Sequence, residues 1–224
     1  MNVQAVLFDV DGTLVDSNEF HVAAWTHAFK VAGHPVPAER IRQQIGKGAD
    51  MLIPSLLPQL TAEEQKPIAA THKKVFREQY MPRVVAFPRA AELIDTLHAQ
   101  GTKVLLASSS DRVEVEHYME LLGVSSSVAD IASGDEAERS KPAPDVFASA
   151  LAKAAPLKAD EVIAVGDTPY DAISAAKCGI RTVAVRSGGF ADDLLRSAGA
   201  IAIYDSVADL LESLRDSPLQ PRTR

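Results

Sequence analysis

At 224 residues, 46% hydrophobic and 24% charged, the chain has the balance of a soluble globular protein: one large α/β domain, or a core with a modest insertion. Its 23 Lys and Arg against 30 Asp and Glu leave a formal charge of -7 with no basic cluster, which argues against a nucleic-acid partner. The single cysteine, Cys178, excludes an internal disulfide and a cysteine-based zinc site; with no signal-like segment and no long apolar span, a cytoplasmic protein with no membrane partner is expected, a monomer by default.

The first element is Val6-Leu7-Phe8, a short apolar run of the kind a buried parallel strand uses, followed by Asp9-Val10-Asp11-Gly12-Thr13. At strand spacing, positions i and i+2 point to one side, so Asp9 and Asp11 are expected to converge at the strand's carboxyl end. Two like charges about 4 Å apart repel by roughly 4 kcal/mol at an effective dielectric near 20, so a cation or a proton belongs between them. Gly12 permits a sharp turn and a close approach of backbone to a ligand. A plain turn uses the same residue types. D-x-D-G also opens calcium loops, but Leu14-Val15 stand where further calcium ligands would follow.

Residues 18–32 read as a helix closed by Gly33, and His34-Pro35-Val36-Pro37 as a connector. Residues 38–80 stay helix-like, with breaks expected at Gly46-Lys47-Gly48, Pro54, Pro58 and Pro67, and no strand signal between Val15 and Pro82. This is an all-helical insertion over 15–87, joined to the rest by linkers at 14–18 and 82–87. From Pro88 the rhythm changes to strands near 103–107, 128–133, 161–165, 181–185 and 200–203, alternating with helices. Pro88, the Asp111/Glu114 pair, Pro169 and Ser206-x-x-Asp209 mark helix starts, and Gly101, Gly123 and Gly179 mark ends. Strands alternating with helices predict a doubly wound parallel sheet, a Rossmann-like α/β core formed by 1–14 and 88–215. The tail, 216–224, has little to pack and is expected to fray.

In such sheets ligands bind at the carboxyl ends of the strands. There the sequence sets Asp9 and Asp11, then Ser108, then Lys141-Pro142, then Gly166-Asp167-Thr168-Pro169-Tyr170-Asp171. Each has a plain alternative as a cap, a loop lysine or a first-turn acid. Their recurrence at successive strand ends favours one shared pocket.

These four motifs resemble those of the haloacid dehalogenase-like hydrolases. D-x-D-G-T is matched at 9–13, the strand-end hydroxyl at Ser108, the Lys-Pro loop at Lys141, and the acidic G-D-x-x-x-D at 166–171. The placement of the helical insertion after the first motif is similar to the phosphoglycolate phosphatase and β-phosphoglucomutase branch. The resemblance implies a Mg²⁺-dependent phosphatase for a small phosphorylated metabolite, a sugar phosphate or phosphorylated hydroxy acid, with the insertion as a cap. Asp9 is then the nucleophile that forms an aspartyl phosphate, and Asp11 the acid and base. Asp9, Asp167 and the backbone carbonyl of Asp11 would hold the ion, with Asp171 ligating or orienting a water. Ser108, Ser109, Lys141 and the Asp11–Gly12 turn would bind phosphate, and Thr13 would hold the turn. Asp11 is expected to begin protonated, its pKa raised by neighbouring carboxylates.

In the insertion, His21, Trp25, Lys47 and Asp50 are candidates for contact with the leaving group; Trp25 is equally suited to core packing. The mutase-like branch carries a basic residue in the first inter-helix loop, and here Ala49 stands at that place, with Lys47 nearby. The departure favours hydrolysis over phosphomutase activity. A dehalogenase usually lacks the second Asp of the first motif. A phospho-receiver places its acceptor on a middle strand without a helical insertion, and an inactive scaffold would have lost a motif residue.

Overall fold

Apolar residues at four consecutive positions make β1 (Ala5–Phe8) a strand buried on both faces. Val6 and Phe8 enter one core cluster, Ala5 and Leu7 the other, as period-two geometry requires. The computed structural model describes residues 3–220. In chain order, β1 is followed by β2 (Val15–Asp16), α1 (Asn18–Val31), α2 (Ala38–Arg42), α3 (Ala49–Leu56) and α4 (Ala62–Val75). A π-helical turn, Phe76–Tyr80, extends α4 and leads to β3 (Val85–Ala86). Then come α5 (Ala90–Ala99), β4 (Lys103–Ala107), α6 (Arg112–Leu122), β5 (Val128–Ala132), α7 (Asp145–Lys153) and β6 (Val162–Gly166). The described chain closes with α8 (Pro169–Lys177), β7 (Arg181–Val185), α9 (Asp192–Ser197), β8 (Ala200–Tyr204), α10 (Val207–Glu212) and a short 3₁₀ turn.

Six strands form one parallel sheet in the order β5-β4-β1-β6-β7-β8. The winding runs outward from β1 through β4 to β5, then crosses back to β6 and proceeds the other way. Its reversal at β1 creates the crevice in which doubly wound sheets bind ligands. The Rossmann-like core expected from the sequence is the fold of this protein.

The helices between Asn18 and Tyr80 have an apolar core of their own, built on Trp25, Phe29, Ile41, Leu52, Ile53 and Ile68. Pro54 and Pro67 lie inside α3 and α4 rather than ending them. Each removes one N–H, a loss that the buried faces of these helices outweigh. The two linkers are not plain coil: β2 and β3 pair antiparallel, and the Phe87 N–H donates to the Leu14 carbonyl at 2.9 Å.

The frayed tail is corrected for 216–220. Leu219 is fully buried in the main core beside Leu214, and Ser217 Oγ donates to the Leu214 carbonyl at 2.8 Å. One leucine supplied the burial that the polar composition of this segment concealed. Residues 221–224 lie outside the described chain. Among the described residues, no helix is long and apolar enough to cross a membrane.

Candidate active site

At the end of β1, Asp9 is 5% exposed and Lys141 is wholly buried beside it. Lys141 Nζ lies 2.5 Å from Asp9 Oδ1 and 2.8 Å from Asp171 Oδ1, and donates to the Ala107 carbonyl at 2.7 Å. Burial lowers the proton affinity of this ammonium; the charges of Asp171 and Asp9 outweigh it and hold Lys141 above its ordinary range. Asp171, in the first turn of α8, divides its oxygens. Oδ2 accepts from the Thr168 N–H at 3.0 Å and hydroxyl at 2.7 Å, closing a capping box, while Oδ1 faces Lys141. Asp171 thus caps its helix through one oxygen and pairs with Lys141 through the other.

Asp167 follows β6 and is fully buried. Asn18 Nδ2 donates to its Oδ2 at 2.9 Å, and Thr13 Oγ1 lies 3.2 Å from both Asp167 Oδ1 and Asp9 Oδ2. Gly12, at φ 78°, makes room for this: a Cβ there would stand 2.1 Å from Asp167 Oδ2.

Asp9, Asp167 and Asp171 each offer an oxygen within 4.8 Å of the others. With all three ionised, the carboxylates exceed the one charge of Lys141 by two. Burial pushes Asp9 up to about 7, Lys141 opposing and Asp171 adding to the rise; Asp167 is driven well above the carboxylate range by burial, then by Asp9 and Asp171. An all-oxygen donor set with this excess of negative charge fits a hard divalent cation.

Asp11 does not join this cluster. β1 ends at Phe8, so the same-side rule of a strand stops short of the motif, and the N–H groups of Thr13, Leu14 and Val15 all turn back onto the Val10 carbonyl. Asp11 instead accepts from Ser17 Oγ at 2.6 Å and Ser110 Oγ at 2.7 Å, and lies 3.1 Å from His21 Nε2. Burial would raise its pKa, but His21 and the two hydroxyls prevail and lower it to about 2. The carboxylate neighbours expected around Asp11 are not there: its neighbours are donors, and they hold its carboxyl low.

His21 stacks on Phe76 with centroids 3.8 Å apart, and its Nδ1 lies 3.3 Å from His72 Nε2. Trp25 stacks on His72 at 3.8 Å and belongs to the insertion's apolar core. His21, Trp25 and His72 wall a cleft of about 450 Å³ between the sheet end and the helical insertion, which Asp9, Asp11, Ser108, Lys47 and Asp50 also line.

The insertion is docked over the sheet end. Ser140 Oγ accepts from the Gly48 N–H at 2.9 Å, the Ser140 N–H donates to Asp50 Oδ2 at 2.9 Å, and Ser109 Oγ donates to the Gly46 carbonyl at 3.0 Å. On the other flank, Lys73 pairs with Asp111 at 2.7 Å and Arg77 with Asp111 and with the buried Glu114, the latter at 3.0 Å.

Residues 6–185 match the family described as haloacid dehalogenase-like hydrolase. The chain belongs to this family. It is 26% identical to phosphoglycolate phosphatase of Vibrio parahaemolyticus, over 94% of this chain and 96% of that one. It is also 26% identical to pyrophosphatase PpaX of Halalkalibacterium halodurans, over 95% and 97%. A hydrolase from Pseudomonas syringae superposes with a TM-score of 0.89 at 30% identity, covering 95% of this chain and 98% of that one.

Of the positions singled out in the sequence of this hydrolase, Asp9, Lys141, Asp167 and Asp171 meet at one centre, with Gly12 and Thr13 against it. Ser108 is buried, and its Oγ accepts from the Ser110 N–H at 3.0 Å, which leaves its own hydrogen for another acceptor. The Ser109 hydroxyl hydrogen goes to Gly46 on the insertion. Lys47 Nζ donates to Gln44 Oε1 at 2.6 Å and Ser55 Oγ at 3.0 Å and sits 4.5 Å above the Tyr170 ring. Asp50 clasps the lysine loop through Ser140. Sequence reasoning missed Ser17, Asn18, Ser110 and His72. Ser110, two residues beyond Ser108, was discernible in the serine run; no local pattern marks His72.

Proposed function

We propose that this hydrolase is a Mg²⁺-dependent phosphatase that cleaves a small phosphate monoester through an aspartyl phosphate on Asp9. The observation that carries the reading is the buried Asp9–Asp167–Asp171–Lys141 centre, which reaches through Asp9, beside Ser108, a cleft of about 450 Å³ covered by the insertion. Asp9, Asp167 and Asp171 are the residues to hold the ion, whose chemistry there is to neutralise carboxylate and phosphoryl charge. Lys141 fixes Asp9 through Oδ1 and offsets part of that charge. Ser108 donates to a phosphoryl oxygen.

Asp9 attacks phosphorus in line, and the alcohol leaves with a proton from Asp11. Asp11 acquires that proton as the substrate dianion enters, since a neighbouring negative charge raises carboxylate proton affinity. In the second half, Asp11 takes a proton from water, which attacks the phosphorus and restores Asp9. The helical insertion acts as a cap that excludes bulk water. A mutase needs a cation held ready for a second phosphate; engagement of Lys47 by Gln44, Ser55 and Tyr170 favours hydrolysis.

The test is phosphate release from phosphoglycolate, pyrophosphate and a series of sugar phosphates, with and without Mg²⁺. Metal-dependent release that Asp9→Asn lowers by at least roughly 10⁴-fold is expected. Wild-type turnover in that variant would sink the mechanism. Mg²⁺-dependent interconversion of hexose phosphates without release would replace the phosphatase with a mutase.

A further inference from the structure

Asn18 is the first residue of α1, the helix that opens the insertion, yet its side chain reaches the sheet-end carboxylate Asp167. It does not cap its own helix: the N-cap position belongs to Ser17, whose side chain makes no capping hydrogen bond. Nδ2 donates to Asp167 Oδ2 at 2.9 Å. The opposite placement of the amide would set two acceptors face to face, so the donor end belongs on the carboxylate.

The pair is packed against backbone on two sides. A Cβ at Gly12 would stand 2.2 Å from Asn18 Nδ2 and 2.1 Å from Asp167 Oδ2, and one at Gly188 2.5 Å from the same oxygen. Two glycines and one amide therefore enclose Oδ2. Oδ1 is the oxygen that shares the Thr13 hydroxyl with Asp9, Oγ1 lying 3.2 Å from Asp167 Oδ1 and 3.2 Å from Asp9 Oδ2. The terminal torsion of an aspartate is broad and has no strong preference of its own, so such a carboxylate keeps one orientation only when something outside it clamps an oxygen.

We propose that Asn18 is a positioning residue for the metal centre, clamping Asp167 Oδ2 so that Oδ1 is presented to the ion. The inference rests on Asp9, Asp167 and Asp171 being the metal ligands. Residues that orient a ligand in this way change metal affinity about 10- to 100-fold when removed. Asn18 also ties that affinity to the seating of the insertion, because the clamp rides on α1 while the ligand rides on the sheet. What seats the helix sharpens the site.

The test is calorimetric titration of Mg²⁺ into the full chain, which needs no turnover. Wild type, Asn18→Ala, Asn18→Leu and Asp167→Asn are compared, with thermal unfolding of each before metal is added. Leu keeps the branched four-heavy-atom shape of Asn, at larger volume and without the donor, so it serves if Ala loosens the fold. Asp167→Asn should abolish binding, and both Asn18 variants should weaken it about 10- to 100-fold while unfolding near the wild-type temperature. Wild-type affinity in the Asn18 variants, beside lost binding in Asp167→Asn, overturns the clamp and leaves the metal centre standing. Unchanged binding in Asp167→Asn removes the metal centre, and the clamp with it.

Discussion

Asp9 and Asp11 stand two residues apart in one motif, the first buried and the second nearly so, and their surroundings drive them in opposite directions. Asp9 sits with two other carboxylates and one lysine and is pushed up to about 7; Asp11 sits with two hydroxyls and an imidazole and is lowered to about 2. The contrast is one of company rather than of burial. A pocket that crowds carboxylates attracts a cation, whereas one that surrounds a carboxylate with donors keeps it charged and aimed.

The comparison can be broken most sharply at Asp11. Asp11→Asn should lower kcat about 10²- to 10⁴-fold while Mg²⁺ affinity, read by titration, stays at the wild-type level. Loss of metal binding in this variant would merge the two centres. Lys141→Met should destabilise the metal-free protein by about 3 kcal/mol or more in urea unfolding, because it leaves buried carboxylates without their counter-charge. An unchanged midpoint would mean that Lys141 does not balance them.

The raised pKa of Asp9 gives a signed pH dependence. Between about 4 and 7 the folded, metal-free chain holds a proton at Asp9 that the unfolded chain has lost, so its stability falls as pH rises across that window. Mg²⁺ must displace that proton, and its affinity should therefore increase with pH, by up to about tenfold per unit, through about 7. A flat affinity between pH 5 and 7 would contradict the assignment. Asp11, at about 2, contributes nothing in that range. The smallest expected effect is at Ser110: Ser110→Ala leaves Asp11 with Ser17 and His21, and kcat should fall roughly fivefold. A loss as large as that of Asp11→Asn would make Ser110 more than one of three supports.

What was legible in the sequence was what strand geometry governs. Parallel buried strands deliver the next residue to one edge of the sheet, so Asp9, Ser108 and Asp167 could be placed from the apolar runs before them. Lys141 and Asp171 followed from proline-marked loops and helix starts. Legibility ended where the chain left the strand. The turn after Val10 sends Asp11 to a different set of partners, and which of three consecutive serines faces it depends on the backbone path after β4. His72 and Glu114 come to the cleft from helices more than thirty residues from Asp9 or Asp11, and only the docking of the insertion brings them together. The buried Leu219 escaped for a related reason: its partners are distant in sequence, while its neighbours are polar.

The short β2–β3 ribbon has a consequence of another kind. The chain leaves the sheet through β2 and returns through β3 at the same spot, Leu14 bonded to Phe87, so the helices between them form a detour whose two ends already meet. Detours of that kind can be lengthened, shortened or exchanged with little strain on the frame they interrupt. One chemical engine can thus be refitted for a new molecule by changing the detour alone, its carboxylates and lysine untouched.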